Sequence, residues 1–232
     1  MSSIARPVFV LALCAALGVA ATSNVRAAEG RLYPSGPPNG VAYLRFANLS
    51  AQPVKVKSAG GTLTLTTDGG HRVGEYDPVT PGSELTGTVD VGGKTAPIKL
   101  KLTQNELLTV VVTTGGDGAP LVTLVGDTPT EFNAQKAALA LYNLDKGCKE
   151  ATLEAGDGHA AVISGVAPDG VKRRLVNAVN VALAVACGAG GPGAVAKLGQ
   201  MDAGERYSIF LYAAGAGLQA LAVHDEMALL RP

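Results

Sequence analysis

Two short words come nearest to acyl-transfer chemistry in this chain: Asp68-Gly69-Gly70-His71 and Gly126-Asp127-Thr128. Such chemistry needs a hydroxyl or thiol nucleophile, a base that takes its proton, and a third group that orients the base. Gly126-Asp127-Thr128 resembles the Gly-Asp-Ser block of one hydrolase class, with threonine in the nucleophile's place. Asp68 and His71 have the spacing that this class also uses, but their glycines make a hairpin turn between Thr67 and Arg72 a sufficient reason for them. No Gly-x-Ser-x-Gly occurs, and an acetyl-carrying enzyme using Thr128 or a serine such as Ser83 or Ser164 is the least supported reading. The residues predict no catalytic set.

Cofactor and metal chemistry fare no better. Gly188-Ala189-Gly190-Gly191-Pro192-Gly193 has the letters of a dinucleotide fingerprint, which requires a helix to start here and hold the pyrophosphate. The short run Ala194-Val195-Ala196-Lys197-Leu198 follows instead, so a loop is expected and no cofactor. His71, His159 and His224 lie in separate segments with no metal-ligand spacing, and Asp157-Gly158-His159 reads as a turn. Cys148 and Cys187 are expected to pair, as two cysteines of an exported chain usually do.

Export is read from the first residues. Arg6 precedes an apolar run from Val8 to Ala21, and Val25-Arg26-Ala27 offers small residues at a cleavage site, so 1–27 is expected to be a cleaved signal peptide. Without it, 17 basic residues face 19 acidic ones, Arg6 and Arg26 having gone. That balance, with no basic tract, gives nucleic-acid binding little support.

Contact with a polymer or a protein is the remaining class. There is no Trp, and only six Tyr and four Phe, so a stacking platform for sugars is poorly supplied. Tyr43 and Arg45 alternate with Leu44 and Phe46, which places them on the opposite and more exposed strand face. With Arg72, Arg173 and Arg174 they are the candidate contacts for a partner or an anionic chain.

The elements that must position these residues are strands. Val54-Lys55-Val56-Lys57, Thr62-Leu63-Thr64-Leu65-Thr66 and Ile98 to Leu102 alternate with period two, so Leu63 and Leu65 are expected in a core. Leu107 to Thr113 is apolar throughout and suits a strand buried on both faces. Val179 to Ala186 and Tyr207 to Tyr212 read similarly. Gly-rich turns separate the runs, the pattern of a β-sandwich.

The second half also repeats the first. Leu44 to Leu49 returns as Leu139 to Leu144, Lys101 to Gln104 as Lys197 to Gln200, and Leu121 to Val125 as Leu218 to Ala222. Shifts of 95, 96 and 97 residues are those of a whole small domain. The fold class is therefore all-β, with two tandem, related, Ig-like β-sandwiches at 28–126 and 136–232, joined by a linker at 127–135.

A family resemblance adds to this reading. Leu32-Tyr33-Pro34, Pro37-Pro38-x-Gly40-Val41-Ala42 and Leu44-Arg45-x-x-Asn48-Leu49-Ser50 resemble the start of the mature AlgF family. Leu141-Tyr142-Asn143-Leu144, Arg174-Leu175-Val176-Asn177-Ala178-Val179 and Gly204-Glu205-Arg206-Tyr207-Ser208-Ile209 resemble its later blocks. The cysteine pair, the glycine-rich loop and a longer segment between Lys57 and Lys94 depart from it. The resemblance implies a periplasmic accessory protein of alginate O-acetylation. It implies an adaptor, not an enzyme, partnered by a membrane O-acyltransferase and a periplasmic acetyltransferase, and in contact with alginate at most as a ligand. A secreted polysaccharide- or surface-binding, adhesin-like β-module fits the residues as the alternative.

Overall fold

The computed structural model describes residues 40–156, 160–188, 193–215 and 217–229, all within one compact unit. The signal peptide expected over 1–27, the turn histidine His159 and residues 189–192 of the glycine-rich loop lie outside the described residues.

The first half contributes β1 (Ala42–Asn48), β2 (Val54–Ser58), β3 (Gly61–Leu65), β4 (Asp77–Val79), β5 (Glu84–Val91), β6 (Lys94–Lys101), β7 (Leu107–Thr114) and β8 (Pro120–Asp127). The second contributes β9 (Ala137–Asn143), β10 (Ala151–Ala155), β11 (Ala160–Val166), β12 (Gly170–Val176), β13 (Leu183–Cys187), β14 (Ala194–Ala196), β15 (Arg206–Ala214) and β16 (Gly217–His224). The Gly69-Gly70-His71 word forms a 3-10 turn. Among the described residues no helix is long and apolar enough to cross a membrane.

Four four-stranded sheets result: β4-β1-β7-β8 and β3-β2-β5-β6, then β12-β9-β15-β16 and β11-β10-β13-β14. Adding eight to each strand number of the first pair gives the second pair, so the sequence repeat is a repeated topology. β1 and β7 run parallel, as do β9 and β15. The chain is two related β-sandwiches.

Strand pairing also corrects the repeat's register. Leu44 pairs with Leu108 and Leu139 with Tyr207; Leu108 then pairs with Gly126 and Tyr207 with His224. Equivalent positions therefore stand 95 residues apart in β1 and β9, 99 apart in β7 and β15, and 98 apart in β8 and β16. The Leu121/Leu218 match, at 97, is one residue out. A slip of one inverts the strand face: Leu121 is 54% exposed, whereas Leu218 packs on the second core.

Each sandwich has its own core. Val54, Val56, Ile98, Leu100, Leu108, Val110 and Val112 fill the first, from the alternating runs. Leu139, Leu141, Leu153, Val185, Ile209 and Leu211 fill the second. Leu65 is buried as expected, but Leu63 is 38% exposed, because β3 is an edge strand on an open side of its sandwich. Val179 to Ala182 does not join β13; Val179 is exposed, and the stretch is held by an isolated Asn180–Gln200 bridge and by the Val179 and Ala182 carbonyls, which accept from the Met201 and Gly156 amides.

The repeated Asn-Leu words have a structural cause. Asn48 Nδ2 donates to the Gln52 and Thr66 carbonyls at 2.9 and 2.8 Å, and Asn143 Nδ2 donates to those of Cys148 and Val166 at 2.7 and 2.9 Å. Each amide thus ties the end of a strand in one sheet to the start and the finish of a strand pair in the other. Both asparagines are fully buried. Asn143→Ala leaves two acceptors without their donor, so a loss of about 3 kcal/mol is expected in a denaturant titration.

The Cys148–Cys187 disulfide closes a 39-residue separation with Cα atoms 5.4 Å apart. It fastens the β9–β10 connection to the end of β13, and Cys148 is fully buried in the second core.

Candidate functional site

β7 is apolar on both faces because each face meets a different core. Leu108, Val110 and Val112 point into the first sandwich, while Val111 belongs to a separate cluster with Ala47, Leu49, Val125, Ala140, Tyr142, Phe210 and Tyr212. This cluster takes residues from β1, β7 and β8 and from β9 and β15. The outer faces of these two sheets therefore pack on each other. β9 is buried at all seven positions for the same reason.

That packing corrects the placement of Tyr43 and Arg45. The face of β1 opposite Leu44 and Phe46 is the one that the second sandwich covers. Tyr43 is 3% exposed and Arg45 1%. A buried guanidinium must be paired and hydrogen-bonded, and Arg45 is. Its Nη1 donates to Asp225 Oδ1 at 2.7 Å, its Nη2 to Ser208 Oγ at 2.8 Å and to the Tyr142 hydroxyl at 3.3 Å, and its Nε to Thr109 Oγ1 at 3.0 Å. Ser208 Oγ donates in turn to Asp225 Oδ2 at 2.8 Å. The Tyr76 hydroxyl lies 3.2 Å from both Thr109 Oγ1 and the Tyr142 hydroxyl, and its ring centroid lies 4.1 Å from the guanidinium carbon.

The network joins the halves residue by residue. Arg45, Tyr76 and Thr109 come from the first sandwich, and Tyr142, Ser208 and Asp225 from the second or its C-terminal edge. Thr109 and Ser208 occupy equivalent places, since Arg45 pairs with Thr109 and Ala140 with Ser208. Where one half has the arginine, the other has alanine.

Electrostatics keep the Arg45 guanidinium charged. Burial opposes the Arg45 charge, but Asp225, Tyr76 and Tyr142 more than offset this and hold its pKa above the ordinary arginine value. Burial likewise pushes the Tyr76 phenol well above its usual range, so it stays neutral and able to donate. Arg173 follows the Arg45 pattern: burial disfavours its charge, and Tyr142, Asp127 and Asp225 restore it. Arg206 is lowered, by burial first and by repulsion from Arg173 second.

The other arginine candidates serve the same joint or a neighbouring edge. Arg72 donates to the Asn48 and Ser50 carbonyls at 2.9 and 2.8 Å and across the joint to the Tyr212 hydroxyl at 3.2 Å. Arg173 on β12 donates through Nε to Asp127 on β8 at 2.7 Å, while its Nη1 and Nη2 are buried without a hydrogen-bond partner. Arg174 is exposed and donates to the Val162 carbonyl at 2.7 Å. Of the five candidates, the structure brings Arg45, Arg72 and Arg173 to the joint, buries Tyr43 in a separate cluster with Tyr76 and Leu107, and leaves Arg174 outside.

The two words nearest to acyl-transfer chemistry are also placed. Asp127 is the partner of Arg173, and Thr128 begins the exposed connection to β9. His71 is exposed on its turn, and His224 Nε2 lies 2.9 Å from Glu205. Among the described residues no hydrogen bond joins a histidine to a serine or threonine hydroxyl, and no group of three His, Cys, Asp or Glu side chains is placed to hold a metal ion. What the cluster does chemically is balance buried charge across the joint.

Tyr76, Thr109, Tyr142, Ser208 and Asp225 escape the sequence reading. A usable signal was present: a strand apolar on both faces implies that its sheet is covered on both, and β1 lies beside β7.

Residues 14–205 match the model of the family described as Alginate O-acetyl transferase AlgF. The chain belongs to the AlgF family. It is 30% identical over 175 residues to the alginate biosynthesis protein AlgF of Pseudomonas putida, covering 75% of each chain. It is 29% identical to that of Pseudomonas fluorescens, covering 75% of this chain and 74% of the relative. The solved C-terminal domain of AlgF from P. aeruginosa aligns with 39% of this chain and 98% of its own length, at 27% identity and a TM-score of 0.33. The AlgF-like words Leu44 to Asn48, Leu141 to Asn143 and Arg206 to Ile209 fall on β1, β9 and β15, the strands that build the joint.

Proposed function

We propose that this chain is a non-catalytic periplasmic adaptor for the O-acetylation of alginate. It would act by contact with a membrane O-acyltransferase and a periplasmic acetyltransferase. Family membership supports the pathway, since the relatives are named for alginate biosynthesis. The observation that carries the adaptor reading is the joint. It spends the polar side chains best suited to a site on fastening two sandwiches into one body, which leaves outer sheets and edges free for docking. In this reading 1–27 is the export signal, 28–126 and 136–232 are the docking modules, and 127–135 connects them. Arg174, exposed on β12, is the remaining candidate for an anionic chain.

The description of the family as an O-acetyl transferase favours a second, catalytic reading. One experiment separates them. The purified mature chain is expected to transfer no acetyl group from an aryl acetate to alginate oligosaccharide, yet to co-purify with the acetyltransferase. A strain lacking it is expected to make polymer with little or no acetyl ester by proton NMR. Acetyl transfer by the chain alone, or full acetylation in its absence, would overturn the adaptor reading.

A further inference from the structure

One group at the joint is not used up in fastening it. Arg173 donates through Nε to Asp127 at 2.7 Å, and its side chain is 9% exposed. Its Nη1 and Nη2 are buried with no hydrogen-bond partner among the described residues. A guanidinium held through Nε still presents a two-pronged Nη1/Nη2 edge, which matches the two oxygens of a carboxylate. Buried donors left unmet are costly, so this edge points to an acceptor.

Strand register brings a second cation to the same place. Arg173 on β12 pairs with Ala140 on β9, and Arg206 on β15 pairs with Ala138. Ala140 lies in the cluster between the sandwiches, and Ser208, two residues from Arg206, bonds Arg45 there, so both arginines share the joint face. They flank β9 on strands about 10 Å apart. The β9 side chains between them are the buried methyl groups of Ala138 and Ala140.

Arg206 is half-buried, and its Nη1 lies 3.3 Å from the Met227 sulfur, a weak acceptor. Among the described residues no carboxylate stands within ion-pair distance of it. Burial and repulsion from Arg173 both oppose its charge. The guanidiniums of Arg45, Arg173 and Arg206 thus meet the carboxylates of Asp225 and Asp127, with one positive charge left over. Water would satisfy the Nη groups but not the charge. The described chain ends lie elsewhere: Gly40 and Leu229 line a groove beside β4, at the opposite edge of its sheet from β8 and Asp127.

We infer that Arg173 and Arg206 bind a small monocarboxylate at the joint. Its oxygens accept from the Nη1/Nη2 edge of Arg173 and from Arg206, and its short apolar tail lies over Ala138 and Ala140. A monoanion matches the single surplus charge, and the burial of Arg173 and of the methyl floor limits the tail to a few carbons. The inference stands independently of the acetylation reading.

The test titrates the ¹⁵N-labelled mature chain with ¹³C-acetate, with sodium chloride at equal ionic strength as the control. Acetate is the probe because it is the smallest carboxylate with a methyl reporter. It is expected to shift the Nε–H signals of Arg173 and Arg206 saturably at millimolar concentration and to raise the melting temperature to a plateau. Its methyl group is expected to show NOEs to those of Ala138 and Ala140, and chloride to do none of this. Arg206→Gln, which removes a cation without breaking an ion pair, and Ala138→Val, which fills the floor, are each expected to weaken acetate binding at least tenfold. No saturable shift beyond chloride would overturn the inference, since water then meets the Nη groups. So would an equal response to chloride, or acetate binding that ignores both substitutions. A capped Gly-Glu-Gly peptide that moves these signals where acetate does not would overturn it in favour of a partner's acidic side chain. NOEs from Glu131, exposed on the β8–β9 connection, to the two alanine methyls would overturn it in favour of the chain's own carboxylate.

Discussion

Arg45→Met is expected to destabilise the chain by about 3 to 5 kcal/mol, the largest effect of any single substitution in the joint. The reason is what it leaves behind. Asp225 has no exposed side-chain surface, and among the described residues Arg45 is the cation in contact with it, so removal of the guanidinium leaves a buried carboxylate without its ion pair. Ser208 Oγ still donates to it, but a hydroxyl does not neutralise it. Asp225→Leu is expected to cost a similar amount by stranding the cation. The double variant Arg45→Met, Asp225→Leu distinguishes pairing from shape. Replacing a buried pair by apolar groups is often close to neutral, so the double variant is expected to recover most of the loss. Denaturant midpoints of the four proteins check this, and equal, additive losses would refute the coupling. Tryptophan fluorescence is not available in this chain, so circular dichroism or the NMR spectrum is the readout.

Cys148→Ala with Cys187→Ala is expected to lower stability by about 4 kcal/mol, the value that loop-closure entropy assigns to a bridge of this span. The effect should be confined to the second sandwich. Amide exchange is expected to quicken in β10 and β13, which the bridge fastens, and to stay slow in β2 and β5 of the first. Uniform acceleration would mean that the halves unfold only together. Reduction of the wild-type chain should reproduce the double variant, and a reduced protein as stable as the oxidised one would remove the bridge from any account of the fold.

Much of the architecture was legible because strands write their burial directly into the sequence. Val54-Lys55-Val56-Lys57 and Ile98 to Leu102 alternate, and their apolar members fill a core. The disulfide needed only an exported context and the two cysteines that remain once Cys14 is assigned to the signal peptide. The joint was not legible at Arg45, because alternation reports that two faces differ and not which of them meets water. A charged residue on the minority face reads as solvent-facing by default, and that default failed where a second sheet covered it. Leu63 failed in the opposite sense. Its alternation is correct, but a core position at an open edge is only half enclosed. The third repeat word failed because composition matched Leu121 with Leu218, whereas hydrogen bonding sets the register, and the two differ by one residue.

The buried joint also changes what the connection between β8 and β9 is for. Residues 128–136 lie largely exposed, with Phe132 41% accessible, while the Arg45 network, its apolar cluster and the Arg72 and Arg173 contacts join the halves elsewhere. Covalent continuity through this segment is then a matter of synthesis more than of cohesion. A chain nicked there is expected to elute from a sizing column as one particle, and separate elution of the two fragments would show that the joint alone does not hold them.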